Sequence, residues 1–200
     1  MAVVSGGTTL IDNGALDAGV PTGSLILLST QTASASASIS FTSGIDSTYD
    51  SYVFKFIDIH PATDQAHFTF NGSTDGGSNY NVTKTSTYFQ SFHAENDTDS
   101  GLSYYTDSDL AQSTSYQRLN RFMGNDNDQS CVGMLHLFNP SSTTFVKHFI
   151  SINNMVTHDN LNYNPYVAGY FNTTSAINAI QFKFSSGNID DGIIKMYGVA

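Results

Sequence analysis

The stretch HFTFNGSTDGGSNY, residues 67–80, runs from an alternating aromatic strand straight into a loop of turn formers, and the same change recurs along the chain. Alternation with period two sends successive side chains to opposite faces of a strand. Gly, Asn and Asp tolerate the positive φ that a tight reversal needs. YVFKFIDIH (52–60), FVKHFISINNMV (145–156) and AINAIQFKFSS (176–186) obey the same rule. A chain written this way folds as short strands joined by polar loops. Its polar residues agree. Glutamate occurs once, at Glu95, in a sequence with 14 Phe and 11 Tyr, whereas helix surfaces draw on Glu, Lys, Arg and Gln.

The alternation also assigns faces. In ASASASISF (33–41), Ala33, Ala35, Ala37, Ile39 and Phe41 share one side and the serines the other. Tyr52, Phe54 and Phe56 oppose Val53, Lys55, Ile57 and Ile59; Phe68 and Phe70 point to the core, and Asp75-Gly76-Gly77 makes a turn. In the long strand after Pro140, Val146, His148, Ile150 and Ile152 oppose Phe145, Lys147 and Phe149. Residues 94–109 read as a long acidic loop with a short strand at Tyr104 and Tyr105, and STSYQRLNRF (113–122) reads as a strand or a short helix. Eight to ten strands at this spacing predict an all-β fold, a jelly-roll-like two-sheet β-sandwich with long polar loops over residues 23–200. Residues 1–22 are Gly- and Ala-rich and weakly patterned, and are read as an extended N-terminal arm for attachment or inter-subunit contact.

Charge narrows the partners. Seven Lys plus Arg face 17 Asp plus Glu, a formal net charge of -10. Such a chain is repelled by nucleic-acid phosphates and by anionic bilayers. The longest apolar run, LILL (25–28), is far too short to span a membrane. The first residues lack the basic and apolar regions of a signal peptide, so synthesis in a cytoplasm is expected. Cys131 is the sole cysteine, which excludes an intrachain disulfide.

Catalytic signatures are absent. His60, His67, His93, His136, His148 and His158 fall in no metal-binding spacing, and no nucleophile elbow, phosphate loop or dinucleotide fingerprint occurs. The chain is expected not to be an enzyme. Carboxylates two residues apart offer hard oxygen ligands, which makes Glu95, Asp97, Asp99, Asp126 and Asp128 candidates for calcium, although neither segment completes a calcium-loop pattern. No other cofactor is expected. Tyrosines beside carboxylates in loops suit stacking on sugar rings, and Tyr80, Tyr104, Tyr105, Asp107 and Asp109 are the candidate recognition residues.

Four longer phrases carry a resemblance: GSLILLSTQTASASASISFTSGIDSTYDSYVFKFIDIHPATD, FTFNGSTDGGSNYNVTKTSTYF, GMLHLFNPSSTTFVKHF and SSGNIDDGIIKMYG. Over residues 23–200 the chain resembles β-sandwich virion structural proteins, of decoration or tail-fibre type, from tailed bacteriophages of marine bacteria. The resemblance implies a capsid-surface, decoration or fibre subunit made in the host cytoplasm and resident in the virion. It implies other virion proteins as partners and a homo-trimer as the assembled form. A host-surface glycan is a further implied partner if the protein is the receptor-reading part of a fibre. It brings no catalytic residue.

Overall fold

The computed structural model describes residues 3–12, 15–16 and 24–200, and among them there is no helix. Two antiparallel sheets pack face to face. The larger has eight strands. In chain order these are β4 (Leu25–Ser36), β6 (Ser51–Pro61), β8 (Lys84–Ala94), β9 (Ser100–Tyr104), β11 (Cys131–Phe138), β12 (Lys147–Val156), β13 (Leu161–Phe171) and β15 (Ile189–Val199). Across the sheet they run β4-β15-β6-β11-β12-β13-β8-β9. The smaller sheet runs β10-β7-β14-β5, from Gln117–Arg118, Phe68–Ser73, Ala179–Phe184 and Ile39–Phe41. The chain passes repeatedly from one sheet to the other, as in a jelly roll, and within the sandwich only β11, β12 and β13 form an uninterrupted three-stranded meander.

The alternation that defines the strands also builds the core. Tyr52, Phe54 and Phe56 of β6 are buried, as are Phe68 and Phe70 of β7 and Phe182 of β14. Phe182 lies 5.2–6.3 Å, centroid to centroid, from Phe41, Phe54, Phe56, Phe68 and Phe70. Most of these pairs meet edge to face or tilted, the geometry aromatic quadrupoles favour. One glycine is required by geometry. Gly133 sits at the β6–β11 bulge with φ +155, and a Cβ there would lie 2.6 Å from the Ile152 carbonyl.

Three expectations change. ASASASISF is not one strand: β4 ends at Ser36, and the chain turns through Ser38 into the other sheet. Ala33 is buried but Ala35 is exposed, with φ +49, so the one-face pattern breaks at that corner. The 113–122 segment contains no helix, only the two-residue strand β10 paired to β7. Within the N-terminal arm, β1 (Val3–Ser5), β2 (Thr8–Asp12) and β3 (Ala15–Leu16) fold on one another as a small antiparallel meander rather than lying extended. The other arm residues lie outside the described ones. Among the described residues the meander's strands pair with neither sheet of the sandwich.

Candidate functional site

The five candidate recognition residues divide among three surroundings. Tyr104 ends β9, the edge strand of the large sheet, and is 53% exposed. Its hydroxyl donates to Asp109 Oδ2 at 2.5 Å, and this hydrogen bond leads the effects that push the phenol pKa up. Tyr105 points the other way. Its ring meets the buried Tyr88 edge-on, and the Arg121 guanidinium lies 3.9 Å from its centroid. Asp107 accepts from Arg118 at 3.2 Å and from Arg121 at 3.0 Å. Desolvation opposes its ionisation, but the two guanidiniums outweigh that and hold the carboxyl below its usual range. Tyr105 and Asp107 therefore clamp the β9–β10 connection to the body. Tyr80 lies elsewhere, half-buried beside the turn at Gly77, its hydroxyl unpartnered. Of the five, only Tyr104 and Asp109 bond to one another, Tyr104 exposed and Asp109 half-buried, while Asp107 is exposed beside its two arginines.

His67 belongs to the same clamp. Its Nδ1 accepts from the Phe122 N–H at 3.1 Å. Burial, then the positive fields of Arg118 and Arg121, push its pKa down to about 4. The ring is neutral and structural.

The calcium candidates sit at one end of the sandwich, but in separate loops. Asp97 is engaged by His93 Nε2 at 2.9 Å. Glu95 and Asp99 line a small hollow with Asp159, and Asp128 lines another with Asp58, Asp190 and Asp191. The Asp126 carbonyl meets His60 Nε2 at 3.1 Å. Among the described residues no three His, Cys, Asp or Glu side chains converge to hold a metal. Cys131 is fully buried, and burial pushes its thiol up to about 12; it is an inert core residue.

Sequence reasoning missed a broad surface feature. On β12 the outward residues are His148, Ile150, Ile152 and Asn154, while Lys147, Phe149, Ser151 and Asn153 point inward. The outer face of the eight-stranded sheet is thus apolar along much of its width. Strand register aligns one row across it: Lys195, Lys55, Met134, Ile152, Tyr166, Phe89, Tyr104. Met134 is 43% exposed, Ile152 40%, Tyr166 37% and Phe89 40%. Phe89 and Tyr166 stack with their rings 5.1 Å apart and 3° from parallel. A parallel row holds Leu27, Tyr197, Val53, His136, Ile150 and Ala168. The signal was the Ile-x-Ile of β12, whose partner face carries a lysine, a serine and an asparagine.

The fold and this face define a rigid β-sandwich that presents a broad apolar sheet surface and an acidic loop end. No protein-family model, curated protein or solved structure matches the chain. Among the described residues there is no helix long and apolar enough to cross a membrane.

Proposed function

We propose that this chain is a non-enzymatic structural component of a tailed-phage virion, a capsid-surface, decoration or fibre subunit that assembles through its sandwich and its N-terminal arm. The observation that carries the reading is the outer face of the large sheet. Exposed apolar area of that breadth on a soluble domain marks a surface that works covered. The resemblance of residues 23–200 to phage sandwich proteins supplies the setting, other virion proteins the partners, and the host cytoplasm the place of synthesis. The arm is the attachment element, because among the described residues its strands pair with one another and not with the sandwich. Deleting residues 1–22 is expected to leave the melting temperature of the sandwich within a few degrees while abolishing co-sedimentation with particles. An antibody to residues 23–200 should label purified particles of the phage that encodes the chain. Label confined to the particle-free lysate, or full co-sedimentation of the deleted chain, would count against the reading and the arm's role respectively.

A second reading has its own observation. Tyr104, with its hydroxyl on Asp109, lies directly across from Phe89 of the exposed Phe89–Tyr166 stack, and aromatic rings beside a carboxylate suit the apolar face and hydroxyls of a sugar. As a carbohydrate-binding, host-recognition module the protein should retain glycans on an array, and Tyr104→Ala should weaken retention about tenfold or more. Equal retention by both proteins removes this reading.

A further inference from the structure

We infer that the outer face of the eight-stranded sheet is a two-fold interface, packed in solution against the same face of a second copy of this chain. The inference uses the same sheet face as the virion reading but does not require that reading, and its two-fold contact differs from the trimer that the resemblance implies.

Size comes first. Seven strands about 4.8 Å apart and three residue rows about 7 Å apart, the third holding Leu25, Val199, Ser51, Phe138, His148 and Tyr170, span roughly 34 by 20 Å, on the order of 700 Å². A monomer's largest apolar patch is about 300–600 Å², and a standard interface takes about 800 Å² from each partner. The face is the size of an interface.

Its pattern is self-complementary, which an isologous contact requires. Along the central row, Lys195 and Lys55 occupy neighbouring strands on one side, Met134 and Ile152 the middle, and Tyr166 and Phe89 the other side. A two-fold axis parallel to the strands, passing between β11 and β12, reverses this order in the second copy. Met134 then meets the second copy's Ile152. Lys55 and Lys195 come over its Tyr166 and Phe89 rings, where an ammonium is attracted by the π face. The same axis sets His136 against Ile150 and Tyr197 against Thr87 in the adjoining row.

The lysines strengthen the case. Lys55 and Lys195 are direct cross-strand partners, an arrangement that is repulsive in an isolated sheet. Among the described residues neither has a carboxylate partner. Lys55 already lies 5.4 Å from its own Tyr197 ring. Asp58, Asp128, Asp190 and Asp191 gather at one end of the sheet, and the row's own carboxylate neighbour is Asp109, bonded to Tyr104 at the β9 edge, away from the lysines.

The test is the mass of the full chain by sedimentation across nanomolar to tens of micromolar concentration. A two-chain species is expected, and Met134→Glu with Ile152→Glu should raise its dissociation constant on the order of a hundredfold or more. Both positions are exposed within one chain, and an unchanged circular-dichroism spectrum verifies folding. Should that pair misfold, Ile152→Cys serves instead. Cys131 is buried, so a short bifunctional maleimide should join two chains through position 152 but not through Phe145→Cys in the β11–β12 turn. One chain at every concentration overturns the inference. So does a three-chain species, a two-chain species indifferent to the paired glutamates, or equal cross-linking at 145 and 152.

Discussion

Replacing Phe182 with alanine is expected to lower the unfolding free energy by about 3–5 kcal/mol, a large share of the roughly 5–15 kcal/mol that holds an ordinary domain. Phe182 sits on β14, an inner strand of the small sheet, directly opposite Phe70 on β7 and Ile39 on β5. Its ring reaches across the sandwich to Phe54 and Phe56 of β6, 5.5 and 5.2 Å away. All these neighbours are rings or branched side chains on paired strands. They cannot collapse into a vacated volume without moving a ladder, so the cavity term adds to the lost transfer energy. Phe182→Leu keeps most of the volume and should cost less than half as much. Urea melts of the two variants check this. A loss below about 1 kcal/mol for the alanine variant would mean that the aromatic cluster repacks and does not bridge the sheets.

Most of that core was legible because alternation and turn chemistry agree along the chain. Phe54, Phe56, Phe68 and Phe70 fall on the faces their period assigns, and Gly76 and Gly77 take positive φ in the turn that their residue types announce. The breaks came where pattern and geometry part. In ASASASISF the side chains are too small for burial to enforce a face, so the backbone is free to turn at Ala35 and change sheets. The Gln117–Arg118 strand is two residues long, and no period can be read from two residues. Its place is set instead by the Asp107 clamp on Arg118 and Arg121, a contact between segments that sequence spacing does not reveal.

The surface was less legible because both faces of β12 are plausible core. One offers Ile150 and Ile152, the other Phe149 with Lys147 and Ser151. Period two says only that they oppose. The aromatic face wins because Phe149 meets Phe70 and Phe171 at 5.0 and 5.5 Å, and Lys147 can satisfy its ammonium on the Thr173 carbonyl at 3.0 Å. The isoleucines are left outside, which is what makes the outer sheet face an interface candidate. The loop tyrosines were grouped by composition, and composition cannot separate Tyr104, which faces solvent, from Tyr105 one residue later, which faces Arg121.

The other buried lysine gives the second large effect. Lys84 opens β8 opposite Phe171 of β13, is fully buried, and donates to Asn71 Oδ1 at 2.6 Å and to the Val82 carbonyl at 2.8 Å. Asn71 in turn donates to the Tyr80 and Thr114 carbonyls, so the network ties β7 to two loops. Among the described residues no carboxylate pairs with the ammonium. Desolvation pushes its pKa down to about 7 from an ordinary 10.5. Between those values the unfolded chain holds a proton that the folded chain has released, so stability must rise with pH across that window. Below about 7 the ammonium is charged in both states and its burial is a full cost. Cys131 opposes the trend from about pH 9, because its thiol ionises more easily unfolded than buried. Wild-type stability should therefore climb by up to about 2–3 kcal/mol from pH 7 to 9, and Lys84→Met should abolish that climb. The variant leaves the Val82 carbonyl without its donor, at about 1–3 kcal/mol, while Asn71 Oδ1 keeps the Gly72 N–H. The methionine variant is then expected ahead by about 2–4 kcal/mol near pH 6, a lead that shrinks by about 2–3 kcal/mol on going to pH 9. Parallel curves from urea melts at each pH would mean that water or a nearby anion solvates the Lys84 ammonium and that its burial carries no electrostatic cost.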